Sequence, residues 1–453
     1  AAFARIVGSD LFSIYYWLPI ALNMLAVPAF CFLAAQVTKD RVAFFCASIL
    51  YVQLPDSFVW QITGGGLPRS LAALFALLAV GVAVRTAYTP LRQMLLSGVA
   101  VGVSILSHLE WGVFAAAGVT LAFLAGAENW KNRIVLIAGT GLIALLVISP
   151  WTAFILARHG LDPFLSSSSA SNWNLGNFVG STFTGRIFGL LVWPAMLGAF
   201  VTMSRRNWFL ISWTITTILL TPRMGANVGL AIPASLLAGH GFKAAAEFAT
   251  NIIASARGFV GSRFQFAIRS WFGVGLPAIG LLAFSSLALA SPFGSIYHDP
   301  QIVEQLDRPS RDAMRWIRER TDPRSDFVVI SNTEHWFVDR VAEWFPFLTD
   351  RNSLTTAQGL EWAGPGVFVA KTNELNSLKS VQKVAPNLIA SLVREQYCGA
   401  DYVALFSRPD AAERQAFLDS GFYRLVFANE KASVFRFQGA EVCKRSPRPS
   451  GIG

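Results

Sequence analysis

Long apolar runs separated by short polar connections dominate the first two thirds of the chain. Each run is followed by charged, glycine or proline residues. A helix needs roughly 20 apolar residues to cross a hydrocarbon core about 30 Å thick. The pattern therefore predicts a polytopic α-helical membrane domain of about ten transmembrane helices, over residues 12–36, 42–58, 67–84, 94–109, 111–127, 134–157, 187–203, 208–221, 227–243 and 271–290.

The same runs could in principle be core helices of a large soluble protein. Such helices carry a charged face at helical spacing, and residues 70–84 and 134–149 have none. Charged residues make up 14% of the chain and hydrophobic residues 53%, with a mean hydropathy of +0.47. A soluble domain carries about 25% charged residues. The composition therefore favours a multi-pass protein of the cell membrane, with the lipid bilayer as its solvent.

The pattern changes after residue 290 to short alternating elements. Amphipathic helices are predicted at Ser310–Arg320, Trp336–Phe347, within 386–396 and at 409–420, and strands at 326–331, 401–406, 422–428 and 433–437. Such alternation is typical of a small α/β domain. The predicted domains are thus 1–290, in the membrane, and 291–453, a soluble α/β domain. No glycine-rich phosphate fingerprint follows any of these strands, which argues against a nucleotide-binding domain.

The distribution of charge predicts the orientation. Residues 1–290 hold 17 Lys/Arg and 7 Asp/Glu, and residues 291–453 hold 20 of each. Of those 17 basic residues, 12 lie in alternate connections such as 85–92 and 205–206. Basic loops stay in the cytoplasm, so the C-terminal domain is predicted to be extracytoplasmic. Because the basic excess sits in short loops between apolar runs, it does not indicate a nucleic acid partner.

Two further features bear on the compartment and on the chain itself. Cys31 and Cys46 lie in apolar runs, whereas Cys398 and Cys443 lie in the C-terminal domain. In an oxidising compartment the latter two could form a disulfide, or they could remain free thiols. The chain begins within the predicted architecture, without an initiator Met, so upstream residues that include one more transmembrane helix are expected.

Ionisable residues at the outer edge of the predicted bundle are the candidates for chemistry. Charges in a membrane domain cost several kcal/mol unless they are paired or wet. Each also has a structural interpretation: a polar corner could solvate a turn, and an interfacial arginine could reach lipid phosphate. Repeated arginine on the side where the positive-inside rule predicts few favours a shared site. The candidates are His108 and Glu110 as catalytic residues, and Arg69, Arg223, Asp56 and Arg186 as substrate-binding residues.

These residue types fit a site for phosphate or pyrophosphate. Arginine forks bind phosphate oxygens in bidentate geometry, and a carboxylate or histidine can serve as a base. We expect Arg69, His108, Glu110 and Arg223 to face one polar cavity at the outer membrane boundary, below the C-terminal domain. HExxH, CxxC and DxD motifs do not occur in this stretch. The metal ligands therefore remain unknown, and a divalent cation is left open as a cofactor.

Three stretches of the membrane domain resemble the GT-C superfamily, polytopic glycosyltransferases that take sugars from polyprenyl-phosphate carriers. Residues 1–55 resemble the second and third transmembrane helices of that superfamily, where a short basic turn is followed by a helix ending in Leu-Pro. The stretch LLSGVAVGVSILSHLEWGVFAAAGVTLAFL resembles the next hairpin, with Leu109 in place of the proline of a His-Pro-Glu-like corner. The stretch LLTPRMGANVGLAIPASLLAGHG is similar to a late arginine-containing helix pair.

The C-terminal domain is similar to the extracytoplasmic domain of bacterial members, on DAMRWIRERT, EWFPFLTDRNSLTTAQGLEW and GFYRLVFANEKASVFRF. The resemblance implies a cell-envelope glycosyltransferase that transfers a sugar from a polyprenyl-phosphate-linked donor to an extracytoplasmic acceptor. It also implies that the principal catalytic aspartate lies in the first outer loop, upstream of Ala1, so no residue of this chain takes that role. The alternative is a non-enzymatic transporter or scaffold that presents the soluble domain. Transporters show internal repeats and polar residues at the midplane. This sequence shows no convincing repeat and its charges lie at the edge of the membrane domain, which favours the enzyme.

Overall fold

The protein is described by a computed structural model. It describes residues 11–54, 57–62, 66–126, 129–163, 165, 188–224, 228–256, 306–333, 336, 339–360, 363, 366–408 and 411–438. The chain divides into two compact units. The membrane unit comprises Ala1–Arg158 with Ser171–Asp299, and the C-terminal unit comprises Pro300–Gly453 with His159–Ala170.

The described residues of the membrane unit form helices joined by short turns. Its helices are α1 Leu11–Thr38, α2 Arg41–Gln53, α3 Val59–Ile62, α4 Gly66–Val84, α5 Pro90–Ser107, α6 Leu109–Gly126, α7 Trp130–His159, α8 Phe188–Ser204, α9 Trp208–Met224 and α10 Val228–Ala256. Among the described residues, five helices are long and apolar enough to cross a membrane, namely α1, α4, α5, α6 and α7, and three shorter apolar stretches lie in α2, α8 and α9.

Nine of the ten predicted apolar runs coincide with helices, and run 271–290 lies outside the described residues. Helix α10 continues 13 residues past the predicted end at 243, because Ala244–Ala256 keeps good helix formers and contains no glycine or proline. Large apolar side chains face outward from the bundle, including Leu146 (64% exposed) and Trp193 (74% exposed). A soluble protein would cover such surface, so the outer face of the bundle suits lipid.

Local signals explain where several of these helices begin. The Asp40 carboxylate caps α2 by accepting hydrogen bonds from the backbone N–H groups of Val42 and Ala43. Thr89 caps α5, with Pro90 in the first turn, where proline costs no hydrogen bond. The core of the bundle is built from small and aromatic side chains, with the rings of Phe30 and Tyr51 stacked at 4.0 Å.

In its described residues, the C-terminal unit is a mixed five-stranded sheet covered by helices. Its elements are α11 Arg308–Arg320, β1 Asp326–Ser331, α12 Arg340–Thr349, β2 Asn352–Ser353, α13 Val367–Val384, a 3₁₀ turn Pro386–Leu388, α14 Ile389–Gln396, β3 Tyr402–Phe406, α15 Ala412–Asp419, β4 Tyr423–Ala428 and β5 Ser433–Phe437. The strand order is β2-β1-β3-β5-β4. Strand β1 pairs in parallel with β2 and β3, whereas β5 is antiparallel to β3 and β4.

Most predicted elements of this unit are present, with three differences. Helix α12 begins at Arg340 rather than at Trp336, because Asp339 caps it through the N–H of Ala342. Helix α13 was missed, although Leu375, Leu378 and Gln382 form a buried face at helical spacing. Strand β2 was also missed, since two residues are too short to show an alternation.

The structure shows the bonding state of three of the four cysteines. Cys398 is disulfide-bonded, whereas Cys31 and Cys46 are free. Cys443 lies outside the described residues.

Candidate functional site

Arg69 lies in the first turn of α4 and is buried, with 9% of its surface exposed. The N-terminal end of a helix carries partial positive charge, so a cation there opposes the helix dipole. Burial of the guanidinium adds a desolvation cost. Arg69 is therefore placed where it does not stabilise its own helix, and this points to a role outside helix stability.

His108 and Glu110 occupy the corner between α5 and α6. The backbone of His108 is extended and ends α5, with its N–H donating to the carbonyl of Ser104 at 2.8 Å. Its own carbonyl accepts from the N–H of Gly112 at 3.0 Å, which starts the next helix. Glu110 follows in the first turn of α6, where a carboxylate suits the helix dipole. Both side chains are half-buried.

The charge of Arg69 acts on both residues of this corner. Burial, and after it the nearby Arg69 cation, lower the pKa of His108 from 6.5 to about 4. The imidazole is therefore neutral near pH 7, and its buried Nδ1 has no hydrogen-bond partner among the described residues. The structure thus brings together a buried cation, a neutral imidazole and a carboxyl group.

The other predicted site residues cannot be placed beside these three. Arg223 belongs to helix α9 by its backbone, but its side chain lies outside the described part of the structure. Asp56 and Arg186 lie outside the described residues altogether. Their convergence with Arg69 stays a prediction.

Sequence reasoning missed a chain of buried polar residues next to Arg69. The amide of Asn23 donates to the hydroxyl of Ser70 at 2.9 Å, and that hydroxyl donates to the carbonyl of Gln61 at 2.7 Å. The amide of Gln61 in turn donates to the carbonyl of Ser57 at 2.8 Å. All four side chains are at least 97% buried. The available signal was the isolated asparagine inside the apolar run IALNML.

Metal binding can be assessed only for part of the chain. In the described ranges, no group of three or more His, Cys, Asp and Glu residues is placed to hold a metal ion. His108 and Glu110 could supply two ligands, so a metal at this corner would need further ligands from elsewhere.

Comparison with known proteins gives a likeness of structure only. No protein-family model matches the sequence, and a comparison with curated proteins finds no match. Among solved structures, the chain is similar to the arabinofuranosyltransferase AftD from Mycobacteria, with a TM-score of 0.52 and 14% identity. That likeness covers 96% of this chain and 34% of AftD.

Two further structures show weaker likeness. The oligosaccharyltransferase AglB from Archaeoglobus fulgidus, in a complex with Zn and sulfate, has a TM-score of 0.47 and 17% identity, covering 89% of this chain and 58% of AglB. ArnT from Cupriavidus metallidurans, bound to undecaprenyl phosphate, has a TM-score of 0.43 and 14% identity, covering 93% of this chain and 83% of ArnT. The chain thus spans about 60% of the length of AglB. The likeness to AftD shows that the chain shares the fold of the matched part of that protein.

Proposed function

We propose that this protein is a membrane glycosyltransferase that transfers a sugar from a polyprenyl-phosphate donor to an extracytoplasmic acceptor. The observation that carries the proposal is the buried Arg69 beside His108 and Glu110, in a bundle with the fold of a membrane glycosyltransferase. That fold favours the enzyme over a transporter or a scaffold.

Arg69 would bind the phosphate of the lipid carrier. A guanidinium presents a planar fork of donors that matches phosphate oxygens, and it stays charged in a buried setting. Arg223 and Arg186 are proposed as further phosphate ligands from the same side of the membrane. Asp56 would line the site for the sugar.

His108 and Glu110 would act at the reacting end of the donor. Because burial and the Arg69 cation hold the pKa of His108 near 4, its imidazole is neutral near pH 7 and can accept a hydrogen bond. Glu110 would hold the acceptor or a divalent cation. The acceptor hydroxyl would pass its proton to a carboxylate base as its oxygen attacks the anomeric carbon. The bond from that carbon to the phosphate would break, polyprenyl phosphate would leave, and the configuration at the carbon would invert.

The topology is proposed with the function. Residues 1–290 would form the membrane domain and residues 291–453 an extracytoplasmic domain that shapes acceptor binding. Support comes from the basic connections at 85–92 and 205–206, which the positive-inside rule places in the cytoplasm.

Binding of undecaprenyl phosphate to the protein in lipid nanodiscs tests the proposal. Charge-assisted hydrogen bonds contribute roughly 1.5–3 kcal/mol each, and about 1.4 kcal/mol is a factor of ten in affinity. We therefore expect Arg69→Ala to raise the Kd by about tenfold or more, and Arg223→Ala to do the same.

The matched control is Arg92→Ala, which removes an exposed arginine near the start of α5, on the predicted cytoplasmic side. It should leave the Kd unchanged. Equal affinities for the Arg69→Ala, Arg223→Ala and unmodified proteins would refute the phosphate site.

A further inference from the structure

Helices α4 and α5 are joined by a buried hydroxyl beside the candidate site. The Ser104 hydroxyl donates to the carbonyl of Ala72 at 3.0 Å, and Ser104 is fully buried. Ala72 lies three residues after Arg69, about one helical turn. Ser104 also accepts, through its carbonyl, the N–H of His108 that ends α5. One residue therefore connects the helix that carries Arg69 to the corner that carries His108.

A second hydroxyl, that of Ser70, joins the start of α4 to helices α1 and α3. Ser70, the residue after Arg69, donates to the carbonyl of Gln61 and accepts from the amide of Asn23. A side chain at Gly66 would strike the same Gln61 carbonyl, so the chain passes very close there. Helices α1, α3 and α4 thus meet at the Ser70 hydroxyl.

Bonds at Ser70 and Ala72 hold the start of α4, which carries Arg69. Arg69 acts on His108 and Glu110 only if the separation between the first turn of α4 and the α5–α6 corner stays fixed. A displacement of about 1 Å in a site can lower a reaction rate about a hundredfold. We propose that Ser70 and Ser104 are positioning residues that hold Arg69 in register with His108 and Glu110. On the function proposed above, they keep the guanidinium aimed at the lipid phosphate.

The protein contains a matched control for this role. The Ser97 hydroxyl donates to the carbonyl of Ala79 at 3.2 Å, and Ser97 is also fully buried. It joins the same two helices by the same kind of bond as Ser104 does. Ala79 lies ten residues beyond Arg69, about 15 Å along α4. Loss of either hydroxyl should therefore cost similar stability, but only the Ser104 hydroxyl is close to the site.

The experiment compares Ser104→Ala, Ser70→Ala and Ser97→Ala in the full chain in nanodiscs. The readouts are the thermal midpoint, the Kd for undecaprenyl phosphate and the pKa of His108. The pKa is measured by NMR of ¹⁵N-labelled histidine. The chain has five histidines, and His108→Gln identifies the signal.

We expect Ser104→Ala and Ser97→Ala to lower the thermal midpoint by similar amounts, because each loses one hydroxyl bond, and Ser70→Ala, which loses two, to lower it further. Ser104→Ala and Ser70→Ala should raise the Kd by about threefold to tenfold, whereas Ser97→Ala should not. In the same two variants the pKa of His108 should rise toward 6.5, because the Arg69 cation moves away from it. Should Ser104→Ala not fold, Ser70→Ala gives the same readouts.

An equal effect of Ser97→Ala on the Kd and on His108 would show that the hydroxyls serve stability alone and overturn the proposal. Unchanged values in both Ser70→Ala and Ser104→Ala would do the same. Failure of the proposed function looks different: Arg69→Ala would leave the Kd unaltered, while the His108 titration would still report whether Arg69 is held in place.

Discussion

Two arginines are buried among the described residues, one in each unit, and their surroundings differ in kind. Arg69 and Arg351 are 9% and 6% exposed. All five N–H groups of Arg351 donate to oxygens at the C-terminal ends of α11 and α12. The charge of Arg69 instead acts on the ionisable corner between α5 and α6. The oxygens bound by Arg351 belong to Arg318, Thr321, Thr349 and Asp350. Burial alone therefore does not identify a functional arginine; the groups that it contacts do.

The contacts that hold the elements of each unit together also differ. In the membrane unit, backbones approach each other at glycines: a side chain at Gly198 would strike the carbonyl of Leu237, and one at Gly241 the carbonyl of Pro194. In the C-terminal unit, charged side chains join the elements, as Lys379 does by donating to Asp339 at 2.9 Å. Lipid offers no hydrophobic drive between helices, so close backbone packing takes its place.

The largest expected effect is on Arg351. Arg351→Ala leaves several buried carbonyls without a donor and removes a cation that suits two helix C-termini. We expect a loss of about 4 kcal/mol in the stability of the C-terminal unit, seen as rapid cleavage between α11 and α12 in limited proteolysis. Binding of undecaprenyl phosphate by the protein that remains folded should be unchanged.

The matched control is Arg318→Ala, which removes an exposed side chain but keeps the carbonyl that Arg351 binds. It should resist proteolysis as the unmodified protein does. Arg69→Ala should give the opposite result, because it should weaken lipid binding without making the chain more susceptible to proteolysis. If Arg351→Ala were cleaved no faster than Arg318→Ala, the structural role of Arg351 would be wrong.

A smaller effect is expected at the contact between α8 and α10. Gly198→Ala puts a methyl group against the Leu237 carbonyl, and such overpacking costs about 1–3 kcal/mol. The same change at Gly141 in α7 meets open space and should stabilise its helix by up to about 1 kcal/mol. Thermal midpoints in nanodiscs should thus shift in opposite directions. An equal fall in the thermal midpoint of both variants would mean that packing at Gly198 does not hold α8 against α10.

Sequence patterns predicted most of the fold because apolar periodicity reports burial directly. The strand at 326–331 was predicted to the residue, since β1 is buried along almost its whole length. Helix α13 was missed because its sequence, VFVAKTNELNSLKSVQKV, has only a narrow apolar stripe between many polar residues. The start of α12 was misplaced because the deciding signal is a single cap, Asp339, and a cap shows its role only once its partner N–H is located.

The candidate site was predictable in part. Arg69, His108 and Glu110 were singled out because charge is rare in the apolar region, and the structure brings them within electrostatic reach. Ser70 and Ser104 were not, because a single serine in a membrane helix carries almost no signal. Their bonds join positions up to 47 residues apart in the chain, and no local pattern encodes such a contact.

The smallest expected effect concerns the ion pair of Asp40 with Lys243, which joins the α1–α2 turn to α10 with 2.6 Å between Oδ2 and Nζ. Burial alone would raise the pKa of Asp40, but hydrogen bonds from Ala43 and Lys243 outweigh it and hold the pKa below 3.8. The stabilisation is therefore present above pH 3.8 and lost as the pH falls through the lower, folded pKa. Asp40→Asn keeps an oxygen that can cap α2 and removes the charge, so it should cost about 1 kcal/mol or less. The difference in thermal midpoint between Asp40→Asn and the unmodified protein should shrink when the pH drops from 7 to below the folded pKa, and a constant difference would contradict the ion pair.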